Sequence, residues 1–254
     1  MFNLEGKVIL VTGGSRGIGA ATVRAVGEAG ADVIVHYKSN RDAAERVAAE
    51  VGGERCHLIQ ANFESDEEIL ELWRKAIAWK GRIDVLVNNA GIMEWAGVED
   101  DFATWSDAFR KTLQVNVNSC AHLCYKAVPH FRERGGGIII TISSQVAHQG
   151  ARASETMAYA TSKAAIRALT QTVARCHSIE NILAYAIAPG IVDTDIAADF
   201  IKRFGSLDGV LAGLAMHEMV PPEDVAAVVA YLATGKSRHA TGTTVDMTGA
   251  TYIR

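Results

Sequence analysis

Proline is scarce in this chain of 254 residues, and no Pro-, Ser- or Gln-rich stretch interrupts it, so nothing marks a linker between domains. Cysteine is as sparse: Cys56, Cys120, Cys124 and Cys176 show no CxxC spacing and have no ligand-spaced histidines beside them. That pattern argues against a disulfide framework and against a zinc site, and no metal is expected. Apolar runs such as Ile138-Ile139-Ile140 are far too short to span a bilayer. Residues 1–7 lack a basic region followed by an apolar core, so they do not read as a secretory signal, and a cytoplasmic setting with free thiols is expected. An excess of one charge is missing too. A net charge of −4 gives no electrostatic reason to expect nucleic acid or an anionic membrane as partner.

What is present is a composition of 49% hydrophobic and 21% charged residues, enough to bury a sizeable core. Short runs rich in Val, Ile and Leu alternate with helical patterns. Residues 7–12, 32–36, 55–61, 83–87, 137–143, 182–188 and a short 244–247 read as strands. Helices are expected from Gly17, over 42–51, over 66–79 and in the long stretch before Gly137. Strands without polar alternation, separated by helices, imply a parallel sheet covered on both faces. Right-handed crossovers then give one α/β domain over 1–254, a Rossmann-like doubly wound sheet of about seven strands. Such sheets bind ligands beyond the carboxyl ends of their strands, where every motif below falls.

Thr12-Gly13-Gly14-Ser15-Arg16-Gly17-Ile18-Gly19 lies between the first strand and the first helix. Glycines there allow a tight turn and let backbone N–H groups approach a pyrophosphate, to which the helix amino terminus adds its dipole. Farther on, Tyr159 and Lys163 are four residues apart and share one helix face. An ammonium beside a phenol favours the phenolate and should lower its pKa from about 10. A tyrosine tuned in this way serves as general acid for carbonyl reduction or as base for alcohol oxidation.

The spacing of Gly13, Gly17 and Gly19 resembles the TGxxxGxG form of the short-chain dehydrogenase/reductase family. Further motifs agree in order: Asn88-Asn89-Ala90-Gly91 after the fourth strand, Asn116, Ser144, Tyr159 with Lys163, and Pro189-Gly190 after the sixth. The chain is similar in particular to 3-oxoacyl-carrier-protein-reductase-like members. The resemblance implies a catalytic set of Ser144, Tyr159, Lys163 and Asn116. Ser144 would hold the substrate oxygen, with Ser143 as the competing assignment, and Asn116 would support a water in a proton relay. Lys163 would also hold the nicotinamide ribose, and Asn88 would stabilise the sheet. A dinucleotide would lie against Gly13, Ser15, Arg16, Gly17, Ile18 and Gly19, then Asn62 and Phe63, then Asn89, Ala90 and Gly91. Near the reacting end it would meet Tyr159, Lys163, Pro189, Gly190, Val192 and Thr194. Asn62-Phe63 and Ala184-Tyr185 depart from the family's usual Asp-Val and Val-Asn, and the residues between Ser144 and Tyr159 are more numerous than usual.

Tyr37 falls where NAD-preferring relatives carry Asp, and no carboxylate follows until Asp42. Lys38, Ser39 and Arg16 can instead reach a 2′-phosphate, which favours NADP(H), with NAD(H) the alternative. A substrate loop is expected over about 195–219, with Trp95, His148, Gln149, Met157, Phe200 and Met216 as pocket residues; their apolar or neutral character suits a bulky or uncharged carbonyl compound better than a sugar acid. Arg132 and Arg134 could dock an acidic carrier protein, but Glu133 and Glu180 lie in the same vicinity. Small residues Ala160, Ala164, Ala165 and Ala168 suit the close helix pairing of the family's homotetramers. Alternatives to a carbonyl reductase are an NAD-dependent alcohol or sugar dehydrogenase, a non-catalytic dinucleotide-binding regulator, and an epimerase or dehydratase on the same scaffold.

Overall fold

In the computed structural model, which describes residues 2–253, seven parallel strands form one sheet in the order β3-β2-β1-β4-β5-β6-β7. They are β1 (Val8–Val11), β2 (Asp32–Tyr37), β3 (Cys56–Gln60), β4 (Val85–Asn88), β5 (Gly137–Ile142), β6 (Ile182–Pro189) and β7 (Thr244–Met247). Between them run α1 (Gly17–Glu28), α2 (Arg41–Val51), α3 (Asp66–Lys80), α4 (Phe102–Leu113), α5 (Ser119–Glu133), α6 (Val146–Gln149), α7 (Met157–His177), α8 (Asp195–Phe204), α9 (Leu207–Ala212) and α10 (Pro222–Ala233).

Strand alternation divides the core. Ile9 and Val11 of β1 face α1, α2 and α10 through Val23, Val26, Val47, Val51, Val225 and Val229. Val8 and Leu10 face the other way, towards Ile69, Leu72, Leu123, Phe131 and Ile166 of α3, α5 and α7. Each fully buried aliphatic side chain contributes about 1.5–3 kcal/mol, so both faces must be covered for the sheet to persist. The helix ends follow local chemistry. Asn40 accepts from Ala43 N at 3.0 Å to start α2, Ser65 accepts from Glu68 N at 3.2 Å to start α3, and Gly81 ends α3 at φ +70°.

β1 pairs with β2 on one side and β4 on the other, so the order reverses at β1 and a crevice opens beyond the carboxyl ends of these two strands. Two regions differ from the sequence expectation. The long stretch before β5 is α4 and α5 joined by a π turn, Gln114–Asn118, that widens the helix at Asn116. Most of the segment expected as a loop over 195–219 is helical, as α8 and α9, the latter capped by Ser206 accepting from Gly209 N at 3.2 Å. Among the described residues, no helix is long and apolar enough to cross a membrane.

Candidate active site

The glycine turn after β1 is held from two neighbouring strands. Thr12 Oγ1 donates to Val87 O at 3.2 Å and accepts from Asn89 N and Ala90 N at 2.9 and 3.0 Å, while Asn89 Nδ2 donates to Thr12 O at 2.8 Å. On the other side, His36 Nδ1 accepts from Gly13 N at 3.0 Å and its Nε2 lies 3.0 Å from Ala61 O. A carbonyl only accepts, so Nε2 carries the hydrogen and the ring is neutral. Burial pushes the His36 pKa down to about 4, against the pull of that carbonyl, and the ring stacks on Phe63 with centroids 4.1 Å apart. Gly13 and Gly17 have φ of +65° and +52°. Gly19 is packed so closely that a Cβ would lie 2.0 Å from Gly13 O.

At the ends of β5 and α7 the polar groups converge. Lys163 is buried, and its Nζ donates to Ile142 O at 2.9 Å and lies 5.5 Å from the centre of the Tyr159 ring. Ser144 and Tyr159 both line the cleft, and the Ser144 hydroxyl acts to favour the Tyr159 phenolate. Ser143 is committed elsewhere, donating to Lys163 O at 2.9 Å. Behind them Asn116 is tied down completely: Oδ1 accepts from Ile92 N at 2.8 Å, and Nδ2 donates to Ile92 O and Ser162 Oγ, both at 2.9 Å.

The phenol is not acidified as the sequence suggested. Burial pushes Tyr159 up to about 12, with the Ser144 hydroxyl acting the other way, and burial pulls Lys163 down to about 8. Sequence spacing reveals the neighbouring ammonium but not the loss of solvent, and here the loss of solvent dominates.

A cleft of about 1560 Å³ runs from the glycine turn past these groups. Of the residues expected to hold a dinucleotide, all line it except Tyr37. Tyr37 is buried, because alternation along β2 turns it to the face of Val33 and Val35 and leaves His36 on the cleft. Asn116 also stands behind the wall rather than in it. Lys38 is ion-paired to Glu64 at 2.5 Å and Arg16 to Asp195 at 2.8 Å. Asn62 Oδ1 accepts from Glu64 N at 3.2 Å, which leaves it one lone pair.

Of the expected pocket residues, Gln149 and Phe200 line the cleft, and Trp95 packs on Phe200 with ring centres 6.3 Å apart. His148 turns inward, with Nδ1 2.7 Å from Arg167 and Nε2 3.3 Å from Asp246. Met157 is exposed outside the cleft, and Met216 lines a separate hollow of about 130 Å³ beside Met219 and Met247.

The family model described as short chain dehydrogenase matches residues 7–205. The chain belongs to that family. It is 34% identical to 3beta-hydroxysteroid dehydrogenase 1 of Eggerthella lenta, over 97% of this chain and 94% of that protein. It is 31% identical to a 3-oxoacyl-acyl-carrier-protein reductase of Staphylococcus epidermidis, over 97% and 99%. A mutant short-chain dehydrogenase/reductase of Serratia marcescens superposes with a TM-score of 0.88 at 33% identity, over 98% and 99% of the two chains.

The chain is thus an oxidoreductase of a family that binds NAD(P)(H). Its residues fit such a group. The backbone at Gly13 and Gly17 comes so close to Ala90 Cα and Thr194 Cγ2 that a Cβ would lie 3.0 and 3.1 Å away. At Gly91 a Cβ would press on Asn116 Oδ1 and Lys163 Nζ at 3.3 and 3.5 Å. Arg16 gives α1 no side-chain cap, which leaves its first N–H groups to an anion. Sequence reasoning had missed His36 and Ser162 and had not given Thr12 a role. A threonine opening a glycine turn is a visible signal, whereas His36 becomes significant only when β2 and β3 are aligned.

Proposed function

We propose that this short chain dehydrogenase reduces a bulky, uncharged carbonyl compound to a secondary alcohol, with Ser144, Tyr159, Lys163 and Asn116 as its working set and NADP(H) as its preferred cofactor. The observation that supports this most is the convergence on the cleft of Ser144, Tyr159 and a buried Lys163 whose Nζ is 5.5 Å from the centre of the Tyr159 ring. A bound nicotinamide dinucleotide supplies the hydride. Ser144 orients the carbonyl oxygen, and Tyr159 Oη gives it a proton as negative charge develops there. The anion left on Tyr159 is met by the Lys163 ammonium. The Lys163 Nζ lies 5.5 Å from the centre of the Tyr159 ring, where an ammonium favours that anion. Asn116 acts through position: it fixes Ile92 and Ser162, and Ser162 in turn donates to Tyr159 O at 2.7 Å. The segment 195–219, with Phe200 on the cleft, selects the substrate.

Lys38, Ser39 and Arg16 on the cleft wall support the NADP(H) preference. Exposed ion pairs such as those to Glu64 and Asp195 are worth about 0–1 kcal/mol, so a phosphate can displace the carboxylates. Arg132 is paired with Glu180 at 3.0 Å, which works against docking of an acidic carrier protein. Phe102 and Tyr125 leave an apolar face on α4 and α5 that suits assembly into a homotetramer. Titration of wild type and Lys38→Ala with NADPH and NADH, followed by nicotinamide fluorescence, tests the cofactor assignment. NADPH should bind more tightly, and Lys38→Ala should weaken it by about tenfold while leaving NADH unchanged. Preference for NADH, indifferent to Lys38, would contradict it.

A further inference from the structure

Next to Ser144 stands a side chain that neither the fold nor the proposed proton path uses. Gln145 lines the cleft, and its backbone is fixed on both sides: N donates to Pro189 O at 2.9 Å, and O accepts from His148 N at 3.0 Å. Its side-chain oxygen is closed off from water and has no hydrogen-bond partner among the described residues. It lies beside Gly190, where a Cβ would be 3.6 Å from it. A buried amide oxygen without a partner destabilises the fold, so this conformation gains when a donor is brought to it. The turn cannot swing out either. His148, three residues on, is anchored by Arg167 and Asp246 and stacks on Tyr252 with ring centres 5.8 Å apart.

We propose that the Gln145 carboxamide is a substrate-specificity residue that hydrogen-bonds a hydroxyl carried on the carbon beside the reacting carbonyl. The preferred substrates are then α-hydroxy ketones and the corresponding vicinal diols. The inference rests on the hydride-transfer reading of the same cleft. A hydroxyl matches a carboxamide because it donates to the amide oxygen and accepts from the amide nitrogen. The last torsion of a glutamine is broad, so the amide can turn its oxygen to the incoming group at little cost. A buried polar group built to meet a substrate hydroxyl discriminates strongly against the analogue that lacks it.

Gln145→Leu tests this in two ways. Removing an amide that serves no structural partner should raise the melting temperature of the protein by a few degrees. Across a panel of ketones, each paired with its α-hydroxy analogue (cyclohexanone and 2-hydroxycyclohexanone among them), kcat/KM for the hydroxy member should fall about tenfold relative to its partner. A lower melting temperature would make Gln145 a structural residue and overturn the proposal. So would an unchanged ratio with both members turned over. Wild type that reduces no member of the panel would instead fail the hydride-transfer reading, and this assignment with it.

Discussion

At the glycine-rich end of the cleft, Thr12, His36 and Asn89 bind the backbone of neighbouring strands, so the turn is clamped before any ligand arrives. At the other end Gln145 keeps an oxygen without a partner among the described residues, α9 buries no residue, and Met216 is 60% exposed. The contrast follows from what each end must fit. A dinucleotide presents the same pyrophosphate every time, so backbone N–H groups and missing Cβ atoms can be arranged for it once. A substrate is distinguished by its own groups, so side chains do the selecting, and some of them wait for that partner.

Lys163 belongs to both ends, and its removal should have the largest effect. Lys163→Met is expected to lower turnover by roughly 10²–10⁴-fold and to weaken dinucleotide binding as well, measured by steady-state kinetics and fluorescence titration. A variant that lost only one of the two would separate the ends more sharply than the geometry does. Gly19→Ala tests the clamped end alone. A Cβ 2.0 Å from Gly13 O meets backbone, which cannot rotate away. Overpacking of about 1–3 kcal/mol should raise the dinucleotide KM roughly 5- to 150-fold and leave kcat nearly unchanged.

A smaller effect, on stability, comes from His36. Its folded pKa of about 4 lies below an unfolded value of about 6.5, so the unfolded chain binds more protons between those limits. The stability contributed by the neutral ring is complete above about pH 6.5 and is lost as pH falls towards 4, by about 3 kcal/mol in total. Denaturant titrations across that range should show the slope, and His36→Gln should flatten it. An unchanged slope in that variant would mean that other groups carry the acid sensitivity.

Much of the clamped end was legible because it is local. Gly13, Gly17 and Gly19 lie within one turn, Tyr159 and Lys163 within another, and strands without polar alternation announced a parallel sheet. What stayed hidden depends on partners far along the chain. Lys38 and Arg16 read as free cations, yet the fold brings Glu64 and Asp195 to them. His148 read as a pocket residue, yet Arg167 and Asp246 draw it inward. Tyr37 was placed by its position at the end of β2, whereas side-chain alternation decides which residue reaches the cleft. The segment 195–219 read as a loop although Ile196, Phe200 and Ile201 recur at helical spacing. The Tyr159 pKa moved opposite to expectation because no spacing rule records burial.

The role of Tyr159 is tested most directly by Tyr159→Phe, with NADPH binding and NADPH-dependent carbonyl reduction measured on the same samples. Binding should stay within about twofold of wild type, while kcat falls roughly 10²–10⁴-fold, because only the proton donor has been removed. Reduction that survives the substitution would contradict Tyr159 as the acid.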